Sequence, residues 1–206
     1  MPDKLLERSA AMRAEFFKRQ DDLLETLATK GQSPEGLFIT CADSRISPSR
    51  LFGAKPGDLF TLRNVANIIP PYEQADTGVT AGLEFAVLHL KVPHLIICGH
   101  TDCGGIKGLD APVDAASQPA LTRWIEFARP AQQLVDRTPE LGQAERHRAI
   151  VERNVVQQLL NVQTYPFVLA ALEANQLNLH GWVYYLRRRG VGSYNSETNR
   201  FEGLGG

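Results

Sequence analysis

Apolar residues follow two different periods along this chain. Leu5, Leu6, Met12, Phe16, Phe17, Leu23, Leu24 and Leu27 recur at helical spacing, so residues 3–30 read as a long amphipathic helix. That helix either packs on its own domain or reaches out as an arm to a second subunit. In both cases its Leu- and Phe-rich stripe needs a partner surface. Lys30-Gly31-Gln32-Ser33-Pro34 then reads as a stop and a loop. Three short, β-prone runs follow at 37–41, 59–63 and 94–99. Between them, Ser47 stands ready to cap a short helix from Pro48, and Thr77 to cap a helix over 78–91 that Pro93 ends.

After 100 the helical period dominates. Residues 104–109 suit a short helix, 111–119 a flexible loop, and 120–137, 143–161 and 166–174 longer helices. Residues 178–186 alternate enough for a strand, read as lying at a sheet edge, with a return strand around 191–194. Strands separated by helices predict an α/β fold, a mainly parallel central sheet flanked by helices. No repeat, low-complexity tract or domain boundary interrupts the pattern, so 1–206 reads as a single domain. Functional residues of such sheets collect beyond the carboxyl ends of the strands.

Composition narrows the classes. Hydrophobic residues make up 43% and charged residues 22%, the balance of a globular domain with a real core. A formal net charge of −1 gives no field to attract nucleic acid or an anionic membrane. No apolar run approaches the ~20 residues that span a bilayer. The N-terminus moves straight into a charged amphipathic pattern without a secretory signal. Three cysteines do not suggest a disulfide framework, and the expected compartment is a reducing cytoplasm.

The chemistry sits at two strand ends. Cys41-Ala42-Asp43-Ser44-Arg45 ends the first β run, and His100-Thr101-Asp102-Cys103-Gly104-Gly105 ends the third. His100-x-x-Cys103 alone is a weak signal. With Cys41 it becomes a three-ligand set of the kind that holds Zn²⁺ and leaves a fourth position open. Cys98, inside an apolar strand, reads as a buried inert thiol. Asp43 can orient a water on the metal, and Arg45 can keep that carboxylate ionised and fixed. The bland alternative for Asp43 and Arg45 is a surface ion pair. An oxidised Cys41–Cys103 pair is the alternative to a metal.

Three blocks in order, Cys-Ala-Asp-Ser-Arg (41–45), Gly-Asp-Leu-Phe-Thr-Leu-Arg-Asn-Val-Ala-Asn (57–67) and Gly-His-Thr-Asp-Cys-Gly-Gly (99–105), resemble the β-class carbonic anhydrases. The likeness is strong over about 30–110 and looser afterwards. It implies a parallel sheet core with a C-terminal edge strand, and an N-terminal helical arm (1–30) that wraps a partner in a homodimer or higher homo-oligomer. It implies reversible hydration of CO₂ to bicarbonate and a proton, by attack of zinc-bound hydroxide on CO₂. Cys41, His100 and Cys103 would be the ligands of one Zn²⁺ per subunit, and Asp43–Arg45 the catalytic dyad. Gly104 and Gly105 would allow close backbone approach beside the site.

Further matches point to the plant-like branch. There, Gln32 would hydrogen-bond substrate, from across the dimer interface, and Phe60, Val65 and Phe85 would line an apolar CO₂ pocket. His89 is a candidate for proton transfer, with a packing role as its alternative. Phe38 stands where the bicarbonate-inhibited branch carries Trp, so no second, non-catalytic bicarbonate site is expected. Competing functions are a hydrolase of COS or CS₂ on the same scaffold and a zinc-binding scaffold protein without catalysis. No nucleic-acid or membrane partner is expected.

Overall fold

The computed structural model describes residues 2–111, 114–138 and 140–203. A six-stranded sheet runs in the order β2-β1-β3-β4-β5-β6, with β1 at Gly36–Cys41, β2 at Leu59–Asn64, β3 at His94–His100, β4 at Asn178–Tyr185, β5 at Gly190–Asn195 and β6 at Arg200–Gly203. The first four strands pair in parallel and the last two antiparallel. This is the expected α/β architecture with a mostly parallel sheet. One expectation needs correction. β4 lies inside the sheet, between β3 and β5, and the edge falls to β6, which the sequence pattern did not show. The antiparallel hairpin covers β4, whose Gly181 and Val183 are fully or nearly buried.

Helices fill the crossovers: α2 at Pro48–Phe52, α3 at Thr77–Glu84, α4 at Gly104–Lys107, α5 at Pro119–Ile125, α6 at Arg129–Val135, α7 at Gln143–Val162 and α8 at Pro166–Glu173. The expected helix over 120–137 is thus split, because Pro130 has no N–H to carry a helix through. Ser47 sits at the start of α2 but its hydroxyl makes no cap bond. The cap of α3 is Asp76, not Thr77: its Oδ1 accepts from the Val79 N–H at 3.0 Å. Beyond α3 the turns widen to a π-helix over Phe85–His89. Residues 112 and 113 of the expected 111–119 loop lie outside the described residues.

The main core packs α3, α6, α7 and α8 against one sheet face, around Leu37, Ile39, Leu95, Ile97, Ile150 and Val155. A smaller cluster of Phe38, Ile96 and Cys98 occupies the other face, with Phe52 and Trp182 against it. The N-terminal helix, α1 at Pro2–Lys30, behaves differently along its length. Leu27 packs onto Gly57, where a Cβ would come within 2.7 Å of its methyl. Leu5, Leu6 and Met12 are more than half exposed. The side chains of Phe16 and Phe17 lie outside the described residues.

Candidate metal centre

Parallel pairing of β1 with β3 brings the carboxyl ends of both strands to one side of the sheet. Cys41 ends β1, His100 ends β3, and Cys103 follows one turn later at the start of α4. Their ligand atoms all lie within 4.8 Å of one another. Exposures are 5%, 0% and 1%, so nothing in water satisfies them. The two sulfurs are 3.9 Å apart. Two thiolates at ~2.3 Å from one tetrahedral Zn²⁺ stand about 3.8 Å apart. The imidazole is also set up for a metal. Its Nδ1 is 3.0 Å from the Thr101 carbonyl, which fixes the proton there, while Nε2 is buried with no hydrogen-bond partner among the described residues. An orphaned buried nitrogen is costly unless it has a ligand to bind. The donor set therefore fits Zn²⁺.

Between the sulfurs the charge is already divided. Donation from the Cys103 S–H, and then from the groups around it, pulls the Cys41 thiol well down against its burial. The resulting Cys41 thiolate, together with burial, pushes Cys103 up. A bound metal ion would take the place of the one proton they share. Cys98 is different: burial alone pushes it up to about 12, as suits an inert core thiol.

Asp43 and Arg45 form a closed fork rather than a loose surface pair. Arg45 donates from Nε to Oδ1 at 2.9 Å and from Nη2 to Oδ2 at 2.7 Å, and its backbone N–H adds a third bond to Oδ1. Those contacts hold the Asp43 carboxyl far below the usual carboxylate range. Asp43 Oδ2 lies 3.8 Å from His100 Nε2, facing the ligand cluster.

Several residues at the centre escaped the sequence reading. Asp102 accepts from Arg45 Nη1 at 2.8 Å and its carbonyl accepts from Nη2 at 3.0 Å. Arg63 clamps the Cys41, Asp43 and Ile46 carbonyls. Asn154, Gln158 and Asn161 form a buried amide ladder on α7, reaching the carbonyls of Ala66 and Ile69 and the Ile69 N–H. The ladder had a signal: three amides at helical spacing among the apolar positions of α7.

The other expected site residues divide. Phe60, Phe85 and His89 form a continuous stack, with centroids 5.5 Å and 4.8 Å apart. His89 is exposed at its outer end. Val65 is 37% exposed and lies against Gly105, where a Cβ would come within 2.7 Å of its methyl. Close approach thus belongs to Gly105; a Cβ on Gly104 would meet nothing within 4 Å. Gln32 is exposed between α1 and β1, and no hydrogen bond among the described residues joins it to the cluster. Phe38 packs in an apolar group with Phe52 and Trp182.

Comparison with known proteins gives a consistent result. The sequence model of the carbonic anhydrase family matches residues 36–191. A carbonic anhydrase of Pseudomonas aeruginosa is 37% identical over 188 residues, covering 91% of this chain and 85% of that one. The structure of the β-carbonic anhydrase CcaA superposes with a TM-score of 0.93 at 35% identity, covering 98% of both chains. One of two tetrameric β-carbonic anhydrases from Sordaria macrospora superposes with a TM-score of 0.81 at 28% identity, covering 99% of this chain and 96% of that one.

Proposed function

The chain belongs to the carbonic anhydrase family, in its β class, and we propose that it hydrates CO₂ reversibly to bicarbonate and a proton with one Zn²⁺ on Cys41, His100 and Cys103. The observation that carries this reading is the buried trio itself, three ligand atoms within 4.8 Å with the His100 Nε2 left without a hydrogen-bond partner among the described residues. Bound Zn²⁺ would supply Lewis acidity, bringing the pKa of a water molecule near neutrality so that its oxygen can attack an electrophilic carbon.

The remaining work falls to the protein's own groups. Three protein ligands would leave a fourth position open, and Asp43 stands beside the ligand atoms, its Oδ2 3.8 Å from His100 Nε2. Ionised, Asp43 has only acceptor oxygens. It takes a hydrogen bond from the nucleophile and turns a lone pair toward the carbon. Arg45 keeps it ionised and aimed. Phe60 and Phe85, stacked together, and Val65 beside Gly105 would give an apolar lining that suits an uncharged substrate and offers little to the anionic product. Gly104, with open space around its α-carbon, leaves room for substrate beside the ligands. His89, at the solvent end of the Phe60–Phe85 stack, is positioned to pass the proton outward.

The same reading makes the protein a single catalytic domain in a homodimer or larger homo-oligomer. α1 is its dimerisation arm, supported by the exposed Leu5, Leu6 and Met12. Gln32 of the partner subunit then completes the substrate site. Phe38 in its apolar group supports the plant-like branch, without a second bicarbonate site. No helix among the described residues is long and apolar enough to cross a membrane; the proposed location is the cytoplasm. The test is stopped-flow CO₂ hydration on zinc-loaded protein, with Cys41→Ser and Asp43→Asn beside it. Wild type should be active and both variants severely impaired. Equal rates in wild type and Cys41→Ser would refute the proposal.

A further inference from the structure

Arg45 answers to two carboxylates, not one. Toward Asp43 it presents the Nε and Nη2 fork, and toward Asp102 it presents Nη1, with Nη2 also reaching the Asp102 carbonyl. A guanidinium has five N–H groups in a rigid plane. These contacts use two adjacent edges of that plane, Nε/Nη2 for Asp43 and Nη1/Nη2 for Asp102, so they fix its tilt as well as its position. The Asp43 fork alone leaves the group free to swing about the carboxylate. Asp102 removes that freedom.

The backbone at Asp102 is shaped for this task. Its φ of 62° is the left-handed region, which non-glycine residues seldom occupy and which turns both its side chain and its carbonyl onto Arg45. Lys107, one turn into α4, forms an ion pair with the other Asp102 oxygen. Lys107 thereby holds Asp102 in place and takes up part of its charge, leaving Asp43 the stronger claim on Arg45. The whole set is a line of alternating charge, Asp43–Arg45–Asp102–Lys107, joining the end of β1 to the start of α4.

We propose that Asp102 is a positioning residue: by bracing Arg45 along the Nη1/Nη2 edge beside the fork it holds the Asp43 carboxylate facing the fourth ligand position instead of occupying it. The inference rests on the reading of Asp43 as the catalytic carboxylate. The reasoning is steric and electrostatic. Asp43 Oδ2 is 3.8 Å from His100 Nε2, within a side-chain rotation of the cluster. A carboxylate is itself a good zinc ligand. What prevents it from filling the open position is the Arg45 fork, and the fork is only as firm as its anchor.

The substitution that tests this is Asp102→Asn. Asn tolerates the left-handed backbone, keeps the carbonyl contact and removes only the charge. The first readout is the ¹⁵N–¹H signal of the Arg45 side-chain Nε–H in arginine-labelled protein, identified by its loss in Arg45→Lys. It is recorded on both metal-free and zinc-loaded protein. The second is CO₂ hydration at matched zinc content. Asp102→Asn should broaden or shift the Arg45 signal in both forms. It should lower kcat about threefold to fivefold with KM and zinc content unchanged, the scale of an exposed charged contact. An unmoved Arg45 signal, a kcat equal to wild type, or a loss of zinc in place of rate would overturn the proposal. Failure of the functional reading looks different: the zinc-loaded wild type would be inactive, while the metal-free Arg45 signal would still decide whether Asp102 braces it.

Discussion

The backbone N–H of Ala66 points at the Cys41 sulfur from 3.3 Å, and Ala66 does so from the left-handed region, at φ 61°. Asn67 follows at φ 50°. Ala66 in that region costs of order 1–3 kcal/mol, and Asn67, of a type that tolerates it, costs less. The fold offsets this with long-range bonds: Asn154 donates to the Ala66 carbonyl at 3.0 Å and the Trp124 Nε1 to the Val65 carbonyl at 2.9 Å. Helix α7 therefore supports, through the Ala66 carbonyl, the segment whose N–H meets the Cys41 sulfur.

Asn154→Ala should cost about 1–3 kcal/mol, because the buried Ala66 carbonyl loses its donor. It should also weaken zinc binding by about tenfold or more, since the N–H to Cys41 loses its support. Urea unfolding and chelator competition measure the two effects separately. Wild-type zinc affinity in Asn154→Ala would show that the ladder serves only the fold.

Removing the metal should destabilise the protein. Without it, His100 Nε2 has no hydrogen-bond partner among the described residues and the two sulfurs 3.9 Å apart must share a proton. The thermal midpoint should fall on chelation and recover with stoichiometric Zn²⁺, by about 2–4 °C for each kcal/mol in a chain of this size. Cys41→Ser should lose the zinc-dependent part of the midpoint. A midpoint indifferent to zinc would count against the site.

Asp43→Asn should retain zinc and lose about 100-fold or more in kcat/KM, the usual weight of a positioned acid–base group. Arg45→Lys should fall in the same direction, because an ammonium cannot reproduce the two-point fork. Metal analysis beside stopped-flow kinetics separates lost chemistry from lost zinc.

Acid should act on a second ion-pair network, centred on Arg146. Arg146 bonds Asp110 at 2.7 Å and Asp136 at 2.6 Å, tying the turn after α4 to α6 and α7. Arg146 lowers the Asp110 carboxyl below its ordinary value of 3.8. A lowered folded value means the pair contributes stability above 3.8 and loses it as pH falls through the lower value. The stability gap between wild type and Asp110→Asn should therefore hold from pH 7 to 5 and close below about pH 4. Urea midpoints across that range would show it; a gap that widens in acid contradicts the assignment.

The arm makes a prediction about assembly. Leu5 and Leu6 are 57% and 69% exposed on α1, while Leu27 is seated on Gly57 of the same chain. Leu5→Asp with Leu6→Asp should leave the helix content intact and reduce the oligomer mass seen by light scattering. An unchanged mass would take the arm out of the interface.

Much of this protein is local and therefore legible. Strand runs and helical stripes record which side of each element meets the core, so β1, β2, β3, α1 and α7 could be placed to within a few residues. Cys41, Asp43, Arg45, His100 and Cys103 stand at strand ends, where short motifs report chemistry directly. What stayed hidden depends on which distant segments become neighbours. β4 became an interior strand because β5 and β6 fold back on it, and a single strand's pattern does not say what lies on its far side. The sequence pattern assigns Asp102 no part; parallel pairing of β1 and β3 sets it 2.8 Å from Arg45, 57 residues away in the chain. The same pattern reads Asn154 only as part of the helical stretch 143–161, and it is packing that puts it on the Ala66 carbonyl, 88 residues away. The candidate ligands and the Asp43–Arg45 pair could be named from the sequence by itself; the contacts that surround them belong to the tertiary structure. Hydrogen-bond partners are chosen by distances that exist only once the sheet register and the seating of α7 are set.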